Sequence, residues 1–213
     1  MATGEINLKS FHDVRFFLQG KNDASTAPPK PGAFSLFQFP AAPKNHYDLV
    51  FDGIYLGAAS TAVKPEQLKT LGVTHVVNTS RGTKLNQTNT DSDFYKESDI
   101  TFHGIPAVDI MTYKILPHLR PAAEFIHQAR QAKGVVYVHC QQGVSRSATV
   151  VLAYLMLYMD MSLMTAVEAV REKREIFPNE GFLKQLCMLE KEIEKASGSS
   201  GLKAETETAS ELS

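Results

Sequence analysis

The sequence predicts an α/β fold in which a central, mostly parallel sheet is flanked by helices. Four short apolar runs alternate with helical segments, the pattern that parallel strands joined by crossover helices produce. From Ser147 onward, three further segments carry apolar residues at helical spacing. A chain of 213 residues that is 43% hydrophobic is long enough to bury one such core, with extensions at its ends.

The residues before position 47 are predicted to form an N-terminal extension, residues 1–46. Residues 5–19 carry apolar side chains near helical spacing, which predicts a short amphipathic helix attached to the domain. Whether this helix mediates a homodimer is left open. Residues 22–43 contain five prolines, which predict a linker without regular structure. The linker aromatics are expected to pack onto the domain, with partner binding as the alternative: Phe34, Phe37 and Phe39.

The four apolar runs are the predicted strands. They lie at residues 53–56, 74–77, 100–108 and 135–138. Helices are predicted near residues 65–71 and 117–132. The second of these helices has one apolar stripe and should cover a face of the sheet; the stripe consists of Leu119, Ala122, Ala123, Ile126 and Ala129.

Three helices are predicted to follow. Residues 150–159 are apolar nearly all round, which predicts the buried central helix. The next two helices each have an apolar stripe, formed by Leu163, Ala166, Val167 and Val170 in the first and by Phe182, Leu186, Leu189 and Ile193 in the second. Residues 196–213 have the low hydrophobicity of a disordered tail. The globular domain is therefore predicted over residues 47–195.

Composition argues against several classes of function. The net charge is −1 and the isoelectric point is near 6.7, so no overall positive field attracts nucleic acid or a membrane surface. Two cysteines cannot form a disulfide framework, and no metal-ligand spacing of Cys and His occurs. The N-terminus lacks the layout of a signal peptide, and no apolar stretch is long enough to span a bilayer. We expect a cytoplasmic protein without metal or cofactor, with the nucleus left open as a second compartment.

One loop combines the features of a phosphate-binding site. The apolar run 135–138 ends at His139 and Cys140, and a helix is predicted to begin near Arg146 or Ser147. A strand, loop and helix in this order aim backbone N–H groups and the positive end of the helix dipole into one concavity. Gly143 permits the required torsions, and Arg146 offers a planar fork for two phosphate oxygens. The residues predicted to surround the phosphate are His139, Cys140, Gln141, Gln142, Gly143, Val144, Ser145 and Arg146.

The same loop predicts a nucleophile. A cysteine at a helix N-terminus beside a cation has a pKa below the ordinary thiol value, so Cys140 is expected to be largely ionised and ready to attack phosphorus. His139 is expected to orient the loop and to help hold the thiolate. Ser147 is expected to donate a hydrogen bond to the sulfur when the sulfur leaves a phosphoenzyme. Cys187 is predicted to be an ordinary core thiol.

The motif His-Cys-x-x-Gly-x-x-Arg-Ser, followed by Ala148-Thr149 and an apolar helix, resembles the signature of the protein tyrosine phosphatase superfamily. From Tyr55 to about Glu194 the chain is similar to the atypical, VHR-like dual-specificity phosphatases. The resemblance implies a protein tyrosine phosphatase-like fold. It also implies hydrolysis of phosphotyrosine and of phosphoserine or phosphothreonine in proteins, through a cysteinyl-phosphate intermediate and without a cofactor.

The resemblance implies further site residues. Family enzymes take a general acid from the loop after the strand that precedes the cysteine-bearing strand, and Asp109 matches that position. A capping or turn aspartate is the alternative. Arg174 is implied to lie near the cleft and to bind a second phosphate, or else to complement a helix dipole. The loop side chains of Gln141 and Gln142 carry no charge, which favours a phosphoprotein over a phosphoinositide substrate.

The resemblance leaves three other functions open. The first is a binding module that captures phosphorylated proteins without turning them over. The second is another Cys-x5-Arg enzyme, such as a low-molecular-weight phosphatase or an arsenate reductase, although in those the loop lies close to the N-terminus. The third is an RNA or lipid phosphatase on the same scaffold. Mitogen-activated protein kinases are suggested as partners by analogy alone.

Overall fold

The computed structural model describes residues 8–20 and 42–208, with side chains described for residues 9–20 and 42–197. At its centre is a five-stranded sheet with the order β1-β2-β5-β3-β4. Only β1 runs antiparallel to its neighbour, so the predicted mostly parallel α/β sheet is confirmed. The strands are β1 (Tyr47–Phe51), β2 (Ile54–Ala58), β3 (Val73–Asn78), β4 (Thr101–Gly104) and β5 (Val135–Cys140).

Helices cover both faces of the sheet. Side chains alternate along β5, so Val136 and Val138 face one core and Tyr137 faces the other. The larger core is completed by α5 to α8, with α6 buried along most of its length, and the smaller core by α2 to α4. The helices are α1 (Leu8–Leu18), α2 (Ala59–Ala62), α3 (Pro65–Thr70), α4 (Ser92–Tyr95), α5 (Leu116–Gln131), α6 (Arg146–Tyr158), α7 (Leu163–Lys173) and α8 (Glu180–Thr208). Within the described part of the chain, no helix is both long and apolar enough to cross a membrane.

The strands differ from the prediction at two places. The apolar run 100–108 forms a strand only as far as Gly104, because Pro106 has no N–H to donate to a sheet ladder. Strand β1 was not predicted, although Asp52-Gly53 between two apolar segments is a hairpin signal. Gly53 has a φ of 60°, a left-handed conformation that favours glycine at this turn.

Both ends of the described structure differ from the sequence prediction. The predicted N-terminal helix is present, and it buries Phe11, Val14 and Leu18 against α7 and α8 instead of remaining an appendage. Most of the predicted linker, with Phe34, Phe37 and Phe39, lies outside the described residues. The predicted tail from residue 196 is helical as far as Thr208, because a polar segment can extend a helix that packing has already nucleated.

Candidate active site

The predicted phosphate loop joins the end of β5 to the start of α6. Cys140 is the last residue of the central strand β5, and Arg146 is the first residue of α6. Because β5 is flanked by parallel strands β2 and β3, the loop lies at the carboxyl edge of the sheet, where open α/β folds place their ligands. The N-terminus of α6 therefore points its unpaired N–H groups at the loop.

Four consecutive carbonyl groups of this loop accept hydrogen bonds from outside it. The N–H of Ala59 donates to Gln141 O over 3.2 Å, and the N–H of Phe177 donates to Val144 O over 2.9 Å. Arg174 donates to the carbonyl oxygens of residues 142 and 143, both over 2.9 Å. With its carbonyls turned outward, the loop directs N–H groups inward, which is the arrangement that binds an anion.

Gly143 makes this conformation possible. Its φ is 71°, in the left-handed region that side chains with a Cβ rarely adopt. A Cβ at this position would also lie 2.4 Å from the carbonyl oxygen of Gly57 at the end of β2. Any larger residue would therefore both strain the loop and push it away from the sheet.

Cys140 is a buried thiol inside this ring of donors. The N–H of Gly143 lies 3.2 Å from Sγ, and the hydroxyl of Ser147 donates to Sγ over 3.3 Å. Burial alone would raise the pKa of Cys140, but the guanidinium of Arg146 and the hydrogen bonds from Ser147 outweigh burial and lower it. The pKa of the other cysteine, Cys187, is raised to about 11, chiefly by burial. Only the loop cysteine has surroundings that favour a thiolate.

His139 is fully buried beneath the loop. Burial, reinforced by the charge of Arg146, lowers its pKa to about 4, so the imidazole is neutral at pH 7. Its Nδ1 lies 3.1 Å from the carbonyl oxygen of Cys140, which assigns the proton to Nδ1 as the donor. The N–H and the hydroxyl of Thr79 both donate to the carbonyl oxygen of His139, each over 2.8 Å. His139 thus orients the loop through its backbone contacts and adds no positive charge to the site.

Arg146 presents one edge of its guanidinium to the concavity. Nη1 donates to the carbonyl oxygens of Asn86 and Ala107, over 2.8 and 3.2 Å. Nε is buried and has no hydrogen-bond partner among the described residues. A buried donor without a partner is costly, and a bound oxyanion would supply the missing acceptor. The edge formed by Nε and Nη2 matches the bidentate geometry of a phosphate.

Asp109 lies on the opposite wall of the same pocket. Its Oδ2 is 3.5 Å from Nε of Arg146, and about a third of its side chain is exposed. Its Oδ1 accepts hydrogen bonds from the hydroxyl of Ser145, over 2.8 Å, and from Nδ2 of Asn179, over 2.9 Å. Asp109 therefore lines the same pocket as Cys140, and its role as an acid stays a prediction.

The pocket bounded by these groups has a volume of about 220 Å³. It is smaller than the pockets that hold drug-sized ligands, so it suits a phosphate group and the end of one side chain. Of the predicted substrate-binding residues, His139 and Gly143 support the loop from behind without lining the pocket. In the described part of the chain no group of acidic, histidine and cysteine side chains is placed to hold a metal ion. The pocket is lined by Asn86, Asp109, Cys140, Gln141, Gln142, Val144, Ser145 and Arg146.

Arg174 lies beside the phosphate loop but does not line the pocket, so the structure does not place it to bind a second phosphate. Only 1% of its side chain is exposed, and all three guanidinium nitrogens are engaged by protein acceptors. Besides the loop carbonyls, it binds the carbonyl oxygen of Asn45 and, over 2.7 Å, the carboxylate of Asp48 on β1. Arg174 therefore supports the phosphate loop from behind, and at the C-cap of α7 its charge is also placed to complement the helix dipole.

Asn86 is a pocket residue that the sequence did not reveal. It has a φ of 61°, and its carbonyl oxygen binds the arginine of the phosphate loop. The segment that carries it is anchored by Asn78. Its Nδ2 donates to the carbonyl oxygen of Thr88 and to the hydroxyl of Thr90, each over 2.9 Å. No motif marks Asn86, because its contribution comes from the backbone; a left-handed asparagine is common in turns but says nothing of what it faces.

Comparisons with known proteins agree with this geometry. A family profile described as "Dual specificity phosphatase, catalytic domain" matches residues 54–192. Human dual specificity protein phosphatase 26 is 42% identical over 154 residues, which cover 70% of this chain and 69% of that protein.

Two solved structures share the fold. The crystal structure of human DUSP28 has a TM-score of 0.62 and 32% identity, and the match covers 72% of this chain and 99% of that one. A mouse putative dual specificity phosphatase, solved in complex with zinc tungstate, has a TM-score of 0.63 and 30% identity over 76% and 97% of the two chains. With the loop and the fold in agreement, the chain belongs to the atypical dual-specificity protein phosphatases of the protein tyrosine phosphatase superfamily.

Proposed function

We propose that this phosphatase works by a double displacement in which Cys140 carries the phosphoryl group, Asp109 transfers protons and Arg146 binds the phosphate. One observation carries the proposal. The loop turns four carbonyls outward and so leaves three kinds of group facing one pocket: its N–H groups, a thiol with a lowered pKa, and Nε of Arg146. That Nε has an ion-pair contact with Asp109 over 3.5 Å but no hydrogen-bond partner among the described residues. Such an assembly of donors around a thiolate stabilises an oxyanion and activates a nucleophile at once.

In the first half of the reaction the thiolate of Cys140 attacks phosphorus. An S–P bond forms as the bond between phosphorus and the substrate oxygen breaks. Asp109, entering protonated, gives its proton to that oxygen, which leaves as the hydroxyl of tyrosine, serine or threonine. The negative charge on the transferring group is held by Arg146 and by the loop N–H groups.

In the second half water hydrolyses the cysteinyl phosphate. The carboxylate of Asp109 now takes a proton from the water as its oxygen attacks phosphorus. The S–P bond breaks, inorganic phosphate forms, and the electron pair returns to sulfur. The hydroxyl of Ser147, 3.3 Å from Sγ, and the N–H of Gly143, 3.2 Å away, support the departing thiolate.

The charges around the pocket support a phosphoprotein substrate. Apart from the nucleophile Cys140, the charged side chains that line it are one cation, Arg146, and one anion, Asp109. The rim residues Gln141 and Gln142 are neutral and exposed, whereas a polyphosphorylated inositol headgroup needs several cations. The tungstate of the mouse phosphatase complex is an oxyanion, in keeping with an anion site in this fold.

The proposal extends to partners and location by family resemblance. Mitogen-activated protein kinases are the proposed phosphoprotein class, and the cytoplasm and nucleus are the proposed compartments. A homodimer formed through α1 is a further proposal. It would have to use the half-exposed Phe16, because the apolar face with Phe11, Val14 and Leu18 is buried within its own chain.

The purified full-length chain is expected to hydrolyse phosphotyrosine and phosphothreonine peptides at the same rate with and without a metal chelator. Thiolate chemistry needs no bound metal, and the donors around the pocket belong to the chain itself. A phosphoinositide presented at the same concentration should be hydrolysed at least about tenfold more slowly, since the pocket offers one cation. The measurement is phosphate release for each substrate with and without EDTA.

Three outcomes of this experiment would contradict the proposal. Loss of phosphopeptide hydrolysis in EDTA would point to a metal-dependent reaction. Tight phosphopeptide binding without phosphate release would identify a binding module instead. Faster hydrolysis of the phosphoinositide would reverse the assignment of substrate class. The proposed kinase partners are tested separately, by identifying the phosphoproteins that an Asp109→Ala variant captures.

A further inference from the structure

We infer that Asn179 is a positioning residue that holds the carboxyl group of Asp109 so that Oδ2 is the oxygen that transfers the proton. This inference rests on the proposed function, because it assumes that Asp109 is the acid. Asn179 belongs to the turn between α7 and α8 and does not line the pocket. It acts from outside the pocket, through the acid that it contacts.

Both donors that reach Asp109 converge on a single oxygen. Nδ2 of Asn179 donates to Oδ1 over 2.9 Å, and the hydroxyl of Ser145 donates to the same Oδ1 over 2.8 Å. The backbone N–H of Asn179 in turn donates to the hydroxyl oxygen of Ser145 over 3.2 Å. Since that hydroxyl accepts from Asn179, its own proton is directed toward Asp109. The three residues thus form a closed set of hydrogen bonds.

The other end of the Asn179 amide is fixed to a helix. Its Oδ1 accepts from the N–H of Phe182 over 3.0 Å, in the first turn of α8. The turn between α7 and α8, to which Asn179 belongs, is tied to the phosphate loop, because the N–H of Phe177 donates to Val144 O over 2.9 Å. One amide therefore connects the start of α8 to Asp109, while neighbouring contacts connect the same turn to the loop that holds Cys140.

This arrangement decides which carboxyl oxygen carries the proton. The last torsion of an aspartate side chain is broad and nearly two-fold, so an untethered carboxyl group exchanges its two oxygens freely. Oδ1 already accepts two hydrogen bonds and is therefore the poorer place for a proton. Oδ2 remains, on the side of the carboxyl group that faces Nε of Arg146 at 3.5 Å. A phosphate held by that guanidinium would bring its leaving oxygen toward Oδ2.

The test is an Asn179→Ser variant, measured with two substrates that differ in leaving group. Serine is a good helix cap and can still accept from the N–H of Phe182, but its side chain is too short to reach Asp109. Hydrolysis of a phosphoserine peptide, whose alkoxide needs a proton, should fall about tenfold, the effect of losing one hydrogen bond that positions the acid. Hydrolysis of an aryl phosphate with an acidic phenol should change less than about twofold.

Two further variants separate positioning from a loss of structure. Ser162→Ala removes the hydrogen bond from the N–H of Thr165 to the cap of α7, away from the pocket, and should lower the melting temperature without changing the ratio of the two rates. In an Asp109→Asn background, Asn179→Ser should cause no additional loss with the phosphoserine peptide, because the acid through which it acts is absent.

The outcomes distinguish this inference from the proposed function. If Asp109→Asn alone leaves the phosphoserine rate unchanged, the assignment of the acid is wrong. The positioning role is overturned if Asp109→Asn slows that rate but Asn179→Ser leaves it unchanged. It is also overturned if Asn179→Ser slows hydrolysis of both substrates equally. Additive losses in the double variant would overturn it as well. An Asn179→Thr variant should reproduce the result of Asn179→Ser, because threonine also caps helices.

Discussion

Replacing Cys140 by serine is expected to reduce phosphopeptide hydrolysis by about 10⁶-fold, the loss typical of removing a covalent nucleophile. The lowered pKa of the thiol favours the thiolate, the form that attacks phosphorus, whereas a serine hydroxyl at the same place stays protonated. The substitution keeps the loop carbonyl contacts and Arg146, so phosphopeptide binding should be nearly unchanged. Rate and affinity are to be measured on the same preparation.

The second cysteine provides the matched control. Cys187 is buried on α8, and burial raises its pKa to about 11, so it remains a neutral thiol. A Cys187→Ala variant should lose some stability but keep the wild-type rate per folded molecule. Iodoacetate at neutral pH should inactivate the wild-type enzyme by alkylating Cys140 and leave Cys187 unmodified. Substantial phosphatase activity in Cys140→Ser would exclude the covalent route.

Asp109→Asn is expected to slow hydrolysis of phosphoserine and phosphotyrosine peptides by about 10²- to 10⁴-fold. Asparagine has the size of aspartate, and its side-chain oxygen can still accept from Ser145 and Asn179, so the pocket should keep its shape. What is lost is the proton for the leaving oxygen. An aryl phosphate with an acidic phenol, which leaves without protonation, should lose much less.

The control for this variant is Asp91→Asn. Asp91 caps α4 by accepting from the N–H of Phe94, a role that asparagine fills equally well, and it does not line the pocket. Its rates with both substrates should equal those of the wild-type enzyme. Equal losses with both leaving groups in Asp109→Asn would show that Asp109 shapes the pocket instead of donating a proton.

Features that depend on residues close together in the sequence were predictable from the sequence. The run of apolar residues before His139 identified β5, and the apolar stripe that includes Leu119 and Ile126 identified the buried face of α5. The phosphate loop was equally predictable, since a nucleophile, a glycine and an arginine at fixed spacing constrain one short turn. For the same reason Cys140, Arg146 and Ser147 meet as expected.

Features that depend on distant contacts were not predictable in this way. Arg174 matched a family position, yet its side chain points behind the loop because Asp48 and three carbonyl groups satisfy it there. Asn86 enters the pocket through its backbone, which leaves no trace in residue type. The bond from Asn179 to Asp109 joins residues 70 positions apart, and only the packing of α8 beside the loop brings them together.

Transfer of the phosphoryl group to Cys140 is the central step of the proposed reaction, and isolating that intermediate tests it most directly. Ser147 donates to Sγ over 3.3 Å, and its hydroxyl stabilises the thiolate as the S–P bond breaks. A Ser147→Ala variant should therefore slow the second step and accumulate phosphoenzyme. The Ser147→Ala variant is mixed with an aryl phosphate, denatured during turnover and digested with a protease. The masses of its peptides are then measured by mass spectrometry.

The peptide containing Cys140 is expected to gain the mass of one phosphoryl group. This species should be absent in the double variant that carries Cys140→Ser together with Ser147→Ala. Continued turnover by Ser147→Ala with Cys140 unmodified throughout, or with the phosphoryl group on another residue, would contradict a reaction through cysteinyl phosphate.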